Sequence, residues 1–314
     1  MRKMRMKDGF VYPGGARRAI SFTIDDGNVP MDRKFIEILK PHGILGTFNL
    51  CSDHLSHLTP EEYVEFYRGY EIANHCKAHP SFLREEWIRP VSNENFDPQN
   101  ADVNKMYPHE KYEGVYRYHF ERGWRLVAER EAYIRLVKEC TPELEQVFGE
   151  GSVKSFVWPN GDQKDGILQR ELESLGFYGI RKTGRVADTT AFALPADRNA
   201  WSYNADTTNL LECARKFEAE EDDGTLKFFS FGVHSVDFER DNKWEELKEF
   251  AKEFGNRRDD FYYASIGDIF DYENRVKKCT VENGVLYNGS DREVYYLQGG
   301  EVIILGAGQR KKLN

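Results

Sequence analysis

Short apolar, β-branched runs alternate with stretches of helical spacing along most of the chain. Residues 20–24, 44–50, 71–74, 155–158, 178–181, 226–233 and 261–264 predict strands. Residues 32–40, 60–68, 124–148, 166–175, 208–220, 243–254 and 267–276 predict helices between and after them. Thr59 before Pro60 and Thr141 before Pro142 have the form of N-cap and first-turn pairs, and the second predicts a break between two helices within 124–148. Seven βα units imply a parallel sheet, and that number suits a closed or nearly closed barrel. Such a topology puts reactive groups on the loops that follow the strands.

Two segments depart from this alternation. Residues 83–117 are rich in Pro, Asn, Asp and Tyr and form a long insertion, which inside a compact domain is functional or mobile. Beyond Thr280 the pattern changes to period two with Asn-Gly and Gly-Gly turn signals, which predicts a small antiparallel appendage. The expected division is therefore 1–280, carrying the insertion, and 281–314.

At 314 residues, 40% hydrophobic and 14% aromatic, the chain has ample material for a sizeable core. A net charge of −9 argues against a nucleic-acid binder, which needs a basic stripe. No apolar run approaches the roughly 20 residues of a membrane span. The start, MRKMRMKDGFVYPGG, is basic but has no apolar region behind it, so a cytoplasmic location is expected. The five cysteines are scattered without a CxxC pair and are expected to be reduced thiols.

Chemistry concentrates in two polar knots. ISFTIDDGNVP ends a predicted buried strand on Asp25 and Asp26, two like charges whose repulsion calls for a cation or a wet turn. EIANHCKAHPSF supplies His75 and His79 after another strand, four residues apart. If both strands lie in one parallel sheet, both loops open on one face. One carboxylate and two imidazoles then make three protein ligands, with a position left for water, the composition of a catalytic zinc or similar ion. The acidic run 218–224 also contains Asp-Asp-Gly, at a helix end, and is expected to be a solvated face.

TIDDG followed about fifty residues later by NHCKAH resembles the first two motifs of the polysaccharide deacetylases, the NodB-homology or carbohydrate esterase family 4 group. That resemblance, over roughly residues 18–276, implies a distorted (β/α)7 barrel, to which this chain adds the insertion and the C-terminal β appendage. It implies Asp25 as general base and Asp26, His75 and His79 as ligands of one divalent metal ion, zinc first, with cobalt, manganese or nickel also compatible. Cys76 stands where the family has serine or threonine. FVWPNG matches the third motif with Val157 in place of its arginine and Asn160 in place of its tyrosine, so the Asn160 N–H would serve the oxyanion. Trp158 is either strand-end packing or a sugar-stacking wall. Arg181, at the end of the next strand, is the candidate cation beside the base, and Asp197 the candidate partner of the catalytic histidine. GVHSVDF resembles the last motif and implies His234 as general acid. The tyrosine-rich 107–119 is expected to be a lid or sugar-contacting loop. His42, His54, His57, His109 and His119 are not first-choice ligands.

These residues point to hydrolysis of acetyl groups from an N-acetylated amino sugar or glycan, with an acetylated carbohydrate as partner and oligomeric state open. The alternatives are an O-acetyl esterase on a xylan-like glycan, an allantoinase-type C–N hydrolase, and a non-catalytic carbohydrate-binding protein.

Overall fold

A computed structural model describes residues 6–160 and 166–313. Gly161, at the end of the third motif, and the first five residues of the basic start lie outside the described residues. The chain falls into two compact units: Met1–Phe48, Gly69–Glu71 and Arg185–Asn314 form one, and Asn49–Arg68 and Ile72–Gly184 the other.

An eight-stranded sheet carries the topology. Its order is Trp201–Tyr203, Gly179–Arg185, Val153–Val157, Glu71–Asn74, Thr47–Leu50, Arg18–Asp25, Lys227–His234, and Phe261–Tyr263 joins Arg18–Asp25 off that path. The pairings with a described register are parallel. In Arg18–Asp25 every residue after the first is buried, so although ISFTI alternates apolar with hydroxyl side chains, Ser21 and Thr23 are covered as fully as the apolar positions. The sequence pattern located seven of these strands. It missed Trp201–Tyr203, three residues within a polar stretch too short to show a period.

In the first unit, Arg18–Asp25 and Lys227–His234 pair in register over their whole length, ending on Ile24 opposite Val233 and Asp25 opposite His234. Helix Val29–Leu39 follows at once, started by the Asn28 side chain, which accepts from the Met31 amide, and by Pro30 in the first turn. Its Phe35 packs edge-on against Phe22 of the strand, with ring centroids 5.0 Å apart. Helix Ile266–Lys277 begins over the buried Glu71, whose Oε2 accepts from the Gly267 amide at 2.8 Å and the Thr47 hydroxyl at 2.7 Å. A carboxylate there offsets the partial positive charge of the helix start.

The tail forms hairpins as its turn signals predict. Asn283 and Gly284, at φ 51° and 72°, link Cys279–Glu282 to Val285–Asn288, and Gly299 and Gly300, at φ 61° and 93°, link Val294–Gln298 to Glu301–Leu305. Two successive positive φ angles match the twist of a two-residue hairpin turn. Gly9–Val11 adds an antiparallel strand to the second hairpin, a contribution from the other end of the chain. The Tyr272 hydroxyl donates to the Val11 carbonyl and accepts from the Tyr295 amide, which fixes these strands to the 266–277 helix.

In the second unit the 83–117 insertion is not a bare loop. Ser81–Phe82, Gly123–Ala128, Val115–Phe120 and Tyr107–Pro108 form a four-stranded sheet. Met106, Tyr118 and Val127 make its small core, with Leu83, Trp87, Tyr116 and Phe120 against them. The expected helix 124–148 accordingly starts later, at Arg130, because Trp124 to Ala128 are taken by a strand. The expected break at Thr141 is also absent, and the helix runs through Pro142 to Phe148. Proline cannot donate to the preceding turn. The Asn74 amide, at the end of its strand, adds two bonds to the same turn, donating to the Val137 carbonyl at 2.8 Å and to Thr141 Oγ1 at 2.9 Å.

Candidate metal centre

In the first unit, the strand ends place Asp25 and His234 side by side. Asp25 is buried, and Asp26 turns out of the strand at φ 76° with its side chain 40% exposed. His234 Nε2 lies 3.5 Å from Asp26 Oδ2, and His234 Nδ1 lies 3.0 Å from Asp237 Oδ2, which also accepts from the His234 backbone N–H at 3.0 Å. Arg240 pairs with the other Asp237 oxygen at 2.6 Å. The hydrogen bond to Asp237, opposed by burial and helped by the charges of Asp25 and Asp26, pushes the His234 pKa up to about 9. The shift favours the protonated imidazole at neutral pH. The orienting carboxylate is thus Asp237 and not Asp197, whose side chain instead accepts from the Asn199 amide at the start of a short turn. The signal for Asp237 was present in His-Ser-Val-Asp, a capping-box spacing directly after a strand.

In the second unit, the strand residues from Ile72 to Asn74 run into a tight turn that carries both imidazoles. His75 is buried, and its Nδ1 donates to the Val157 carbonyl at 2.9 Å. The proton so placed leaves the Nε2 lone pair for a ligand, the usual way a second contact fixes a metal-binding imidazole. His75 Nε2 and His79 Nε2 are 3.2 Å apart. Asn160 donates from Nδ2 to the His79 carbonyl at 2.9 Å and lies 3.1 Å from His79 Nδ1. With Nδ1 accepting from that amide, neutral His79 keeps its proton on Nε2. Ligation through Nε2 would put the proton on Nδ1, facing the Asn160 side chain.

Backbone strain collects at these positions. Asp26, Cys76, Ala78, His79 and Asn160 all have φ between 49° and 76°, whereas every other described non-glycine residue in that region is an asparagine. Asn tolerates it through local hydrogen bonding; Ala and Cys gain no such help. Strain of this kind persists where the surroundings over-determine it, as at ligand clamps.

The ligand-capable atoms of Asp26, His75 and His79 all lie within 4.8 Å of one another. Among the described residues they are the one such group of three. The donor set fits a borderline divalent ion such as zinc, with carboxylate oxygen beside imidazole nitrogen. Two nitrogens each about 2.0–2.1 Å from a tetrahedral ion would stand roughly 3.4 Å apart, close to the 3.2 Å between the imidazoles.

The remaining expectations divide. Trp158 is fully buried, stacked on Tyr133 at 5.5 Å and edge-on to Phe156 at 5.3 Å. Its ring has no face for a sugar, which corrects the sugar-wall alternative in favour of packing. Arg181 is buried rather than a surface cation. The Cys76 thiol is buried and its pKa is pushed up by that burial, so it is no nucleophile. All five cysteines are free. His109 stacks on Tyr112 at 4.8 Å, and neither it nor His42, His54, His57 or His119 joins a ligand group.

The sequence model of the family described as "Polysaccharide deacetylase" matches residues 13–180, more than half of the chain. The chain belongs to the polysaccharide deacetylase family. No curated protein matches it. Solved structures that resemble it include the Xyl-CE4 domain of a multidomain xylanase from the hindgut metagenome of Trinervitermes trinervoides, at 12% identity and TM-score 0.46, covering 82% of this chain and 92% of that one. The polysaccharide deacetylase Bc1974 from Bacillus cereus resembles it at 13% identity and TM-score 0.42, covering 79% and 92%. A mutant of BA3943, described as a CE4 family pseudoenzyme, resembles it at 14% identity and TM-score 0.40, covering 82% of this chain and 68% of that one. Membership in the deacetylase family implies a carbohydrate substrate. No helix among the described residues is long and apolar enough to cross a membrane.

Proposed function

We propose that this chain is a metal-dependent carbohydrate deacetylase that hydrolyses the N-acetyl group of an amino sugar or glycan. The observation that carries this reading is the convergence of Asp26, His75 and His79 in a chain of the deacetylase family. A divalent ion bound there supplies Lewis acidity, which polarises a carbonyl and makes water acidic enough to deprotonate near neutral pH.

The chain's own groups do the rest. Asp26 gives its charge to the ion, so Asp25, next to it at the end of the same strand, takes the proton from the attacking water. His234, held protonated by Asp237, delivers a proton to the departing amine. The Asn160 backbone N–H serves the tetrahedral oxyanion; removal of one such donor typically costs about 10²- to 10³-fold in turnover.

Metal content and acetate release from chitooligosaccharides and from acetylxylan test the assignment together. Asp26→Ala and His79→Ala should lose both ion and activity, whereas Asp25→Asn should keep the ion and lose turnover. A His79→Ala protein that holds no metal and hydrolyses at the original rate would overturn the scheme. Release from acetylxylan alone would move the scissile bond from amide to ester.

A further inference from the structure

We infer that Asp53 and Tyr112 are positioning residues which hold the turn between His75 and His79 in its ligating conformation, so that the 83–117 insertion is part of the frame of the metal centre. The inference rests on the reading of Asp26, His75 and His79 as an ion site.

The turn needs such a frame. Cys76, Ala78 and His79 stand at φ 61°, 64° and 49°, a region that L residues without an Asn-like side chain leave when nothing holds them. The Cys76 amide is satisfied from the preceding strand, by Asn74 Oδ1 at 2.8 Å. The Ala78 amide, one residue before the second ligand, donates to Asp53 Oδ1 at 2.8 Å. Ala78 is buried, so an N–H deprived of that acceptor would be left without water to replace it. Asp53 sits in the short turn Ser52–His54, and its Oδ2 accepts from the Tyr112 hydroxyl at 3.1 Å.

Tyr112 comes from the insertion, in the connection between Tyr107–Pro108 and Val115–Phe120. Its ring is stacked on His109 and lies 5.9 Å from Lys77 Nζ. Lys77 is itself paired with Glu139 at 3.1 Å and Glu143 at 2.5 Å on the long helix. Both residues immediately before His79 are therefore tied down, one by its amide and one by its charge. The carboxylate makes the Ala78 contact a charge-assisted one. Loss of an outer partner of a metal ligand typically weakens ion binding about 10- to 100-fold; Asp53 acts one step further out, through the backbone that carries the ligand.

Titration of Co²⁺ into metal-stripped full-length protein, read by the visible absorption of the bound ion, tests this without an activity assay. Asp53→Ala should weaken Co²⁺ binding by about 10-fold or more and alter the absorption bands, because His79 leaves its place. Asp53→Asn, whose amide oxygen can still accept from Ala78, should recover most of the affinity. Tyr112→Phe removes only a hydroxyl and should weaken binding about 2- to 10-fold. Unchanged affinity and spectrum in Asp53→Ala would overturn the inference while leaving the ion site intact. If Asp53→Ala does not fold, Tyr112→Phe decides on the same criterion. A native chain that binds no Co²⁺ would overturn the ion site, and this inference with it.

Discussion

His234 holds its proton at neutral pH because Asp237 accepts from both its ring Nδ1 and its backbone N–H. The pKa is raised, to about 9, so the interaction stabilises the fold in full below the ordinary histidine value near 6.5 and is lost as pH climbs through about 9. Asp237→Asn keeps the shape of the contact and removes its charge. The expected result is a His234 that titrates closer to its ordinary value and an alkaline limb of acetate release displaced to lower pH, with metal content unchanged. Ring-proton NMR and a pH–rate profile would show it, and a limb that stays where it was would detach His234 from the proton-donor role. The residues that meet at the candidate centre were legible in the sequence because paired aspartates after a strand and two nearby histidines are costly without a cation. Asp237 left only a capping-box spacing after His234, and Asp53 left no signal, since it is one carboxylate among 53 acidic residues and declares itself only through what it touches. Trp158 shows the opposite difficulty: an aromatic residue at a strand end has the same one-dimensional signature inside and outside, and packing against Tyr133 decided it.

Elements were legible where period and termination agree. Glu71–Asn74 matches its expected bounds, and helix Pro60–Phe66 starts at the Thr59–Pro60 pair, with Glu62 completing a capping box. The four-stranded sheet of the insertion was not, because two of its strands are only two residues long, Val115–Phe120 mixes aromatic with charged residues, and its core is small. The helix that continues through Pro142 receives a hydrogen bond one turn earlier from Asn74, a residue distant in sequence that no local pattern can supply. The start of helix Ile266–Lys277 has a similar dependence, and it yields a test. Gly267 packs so closely on Glu71 that an added Cβ would stand 2.5 Å from its Oε1. Its backbone N–H also donates to that carboxylate. Alanine is the better helix former by about 1 kcal/mol, yet the clash pushes the buried carboxylate off its partners. The second effect is the larger, so Gly267→Ala should destabilise the protein by about 1–3 kcal/mol. Urea unfolding would measure this; a gain in stability would mean that Glu71 moves aside at no cost.

For the molecule as a whole, a bound ion is a stability term as well as a catalyst. Anything that binds the folded chain and not the unfolded one stabilises it by about 2.7 kcal/mol at a hundredfold excess over Kd. In a chain of this length, larger than the 150–250 residues for which 1 kcal/mol corresponds to roughly 2–4 °C, that becomes a rise of a few degrees in Tm. Metal-stripped protein should therefore melt later when Zn²⁺ is added, with Tm climbing in proportion to the logarithm of the free ion. Mg²⁺, a hard cation that prefers oxygen and keeps its waters, should do little. The net charge of −9 raises an alternative, that any divalent cation screens an acidic surface and so stabilises the fold. His79→Ala separates the two, because it keeps all 53 acidic residues and deletes one ligand. Its melting curve should ignore Zn²⁺ at concentrations that shift the native chain. Acidification should erase the native response too, since an imidazole ligates only when neutral. If His79→Ala and the native chain respond alike, the stabilisation belongs to the surface, and the case for a specific ion site has to be abandoned.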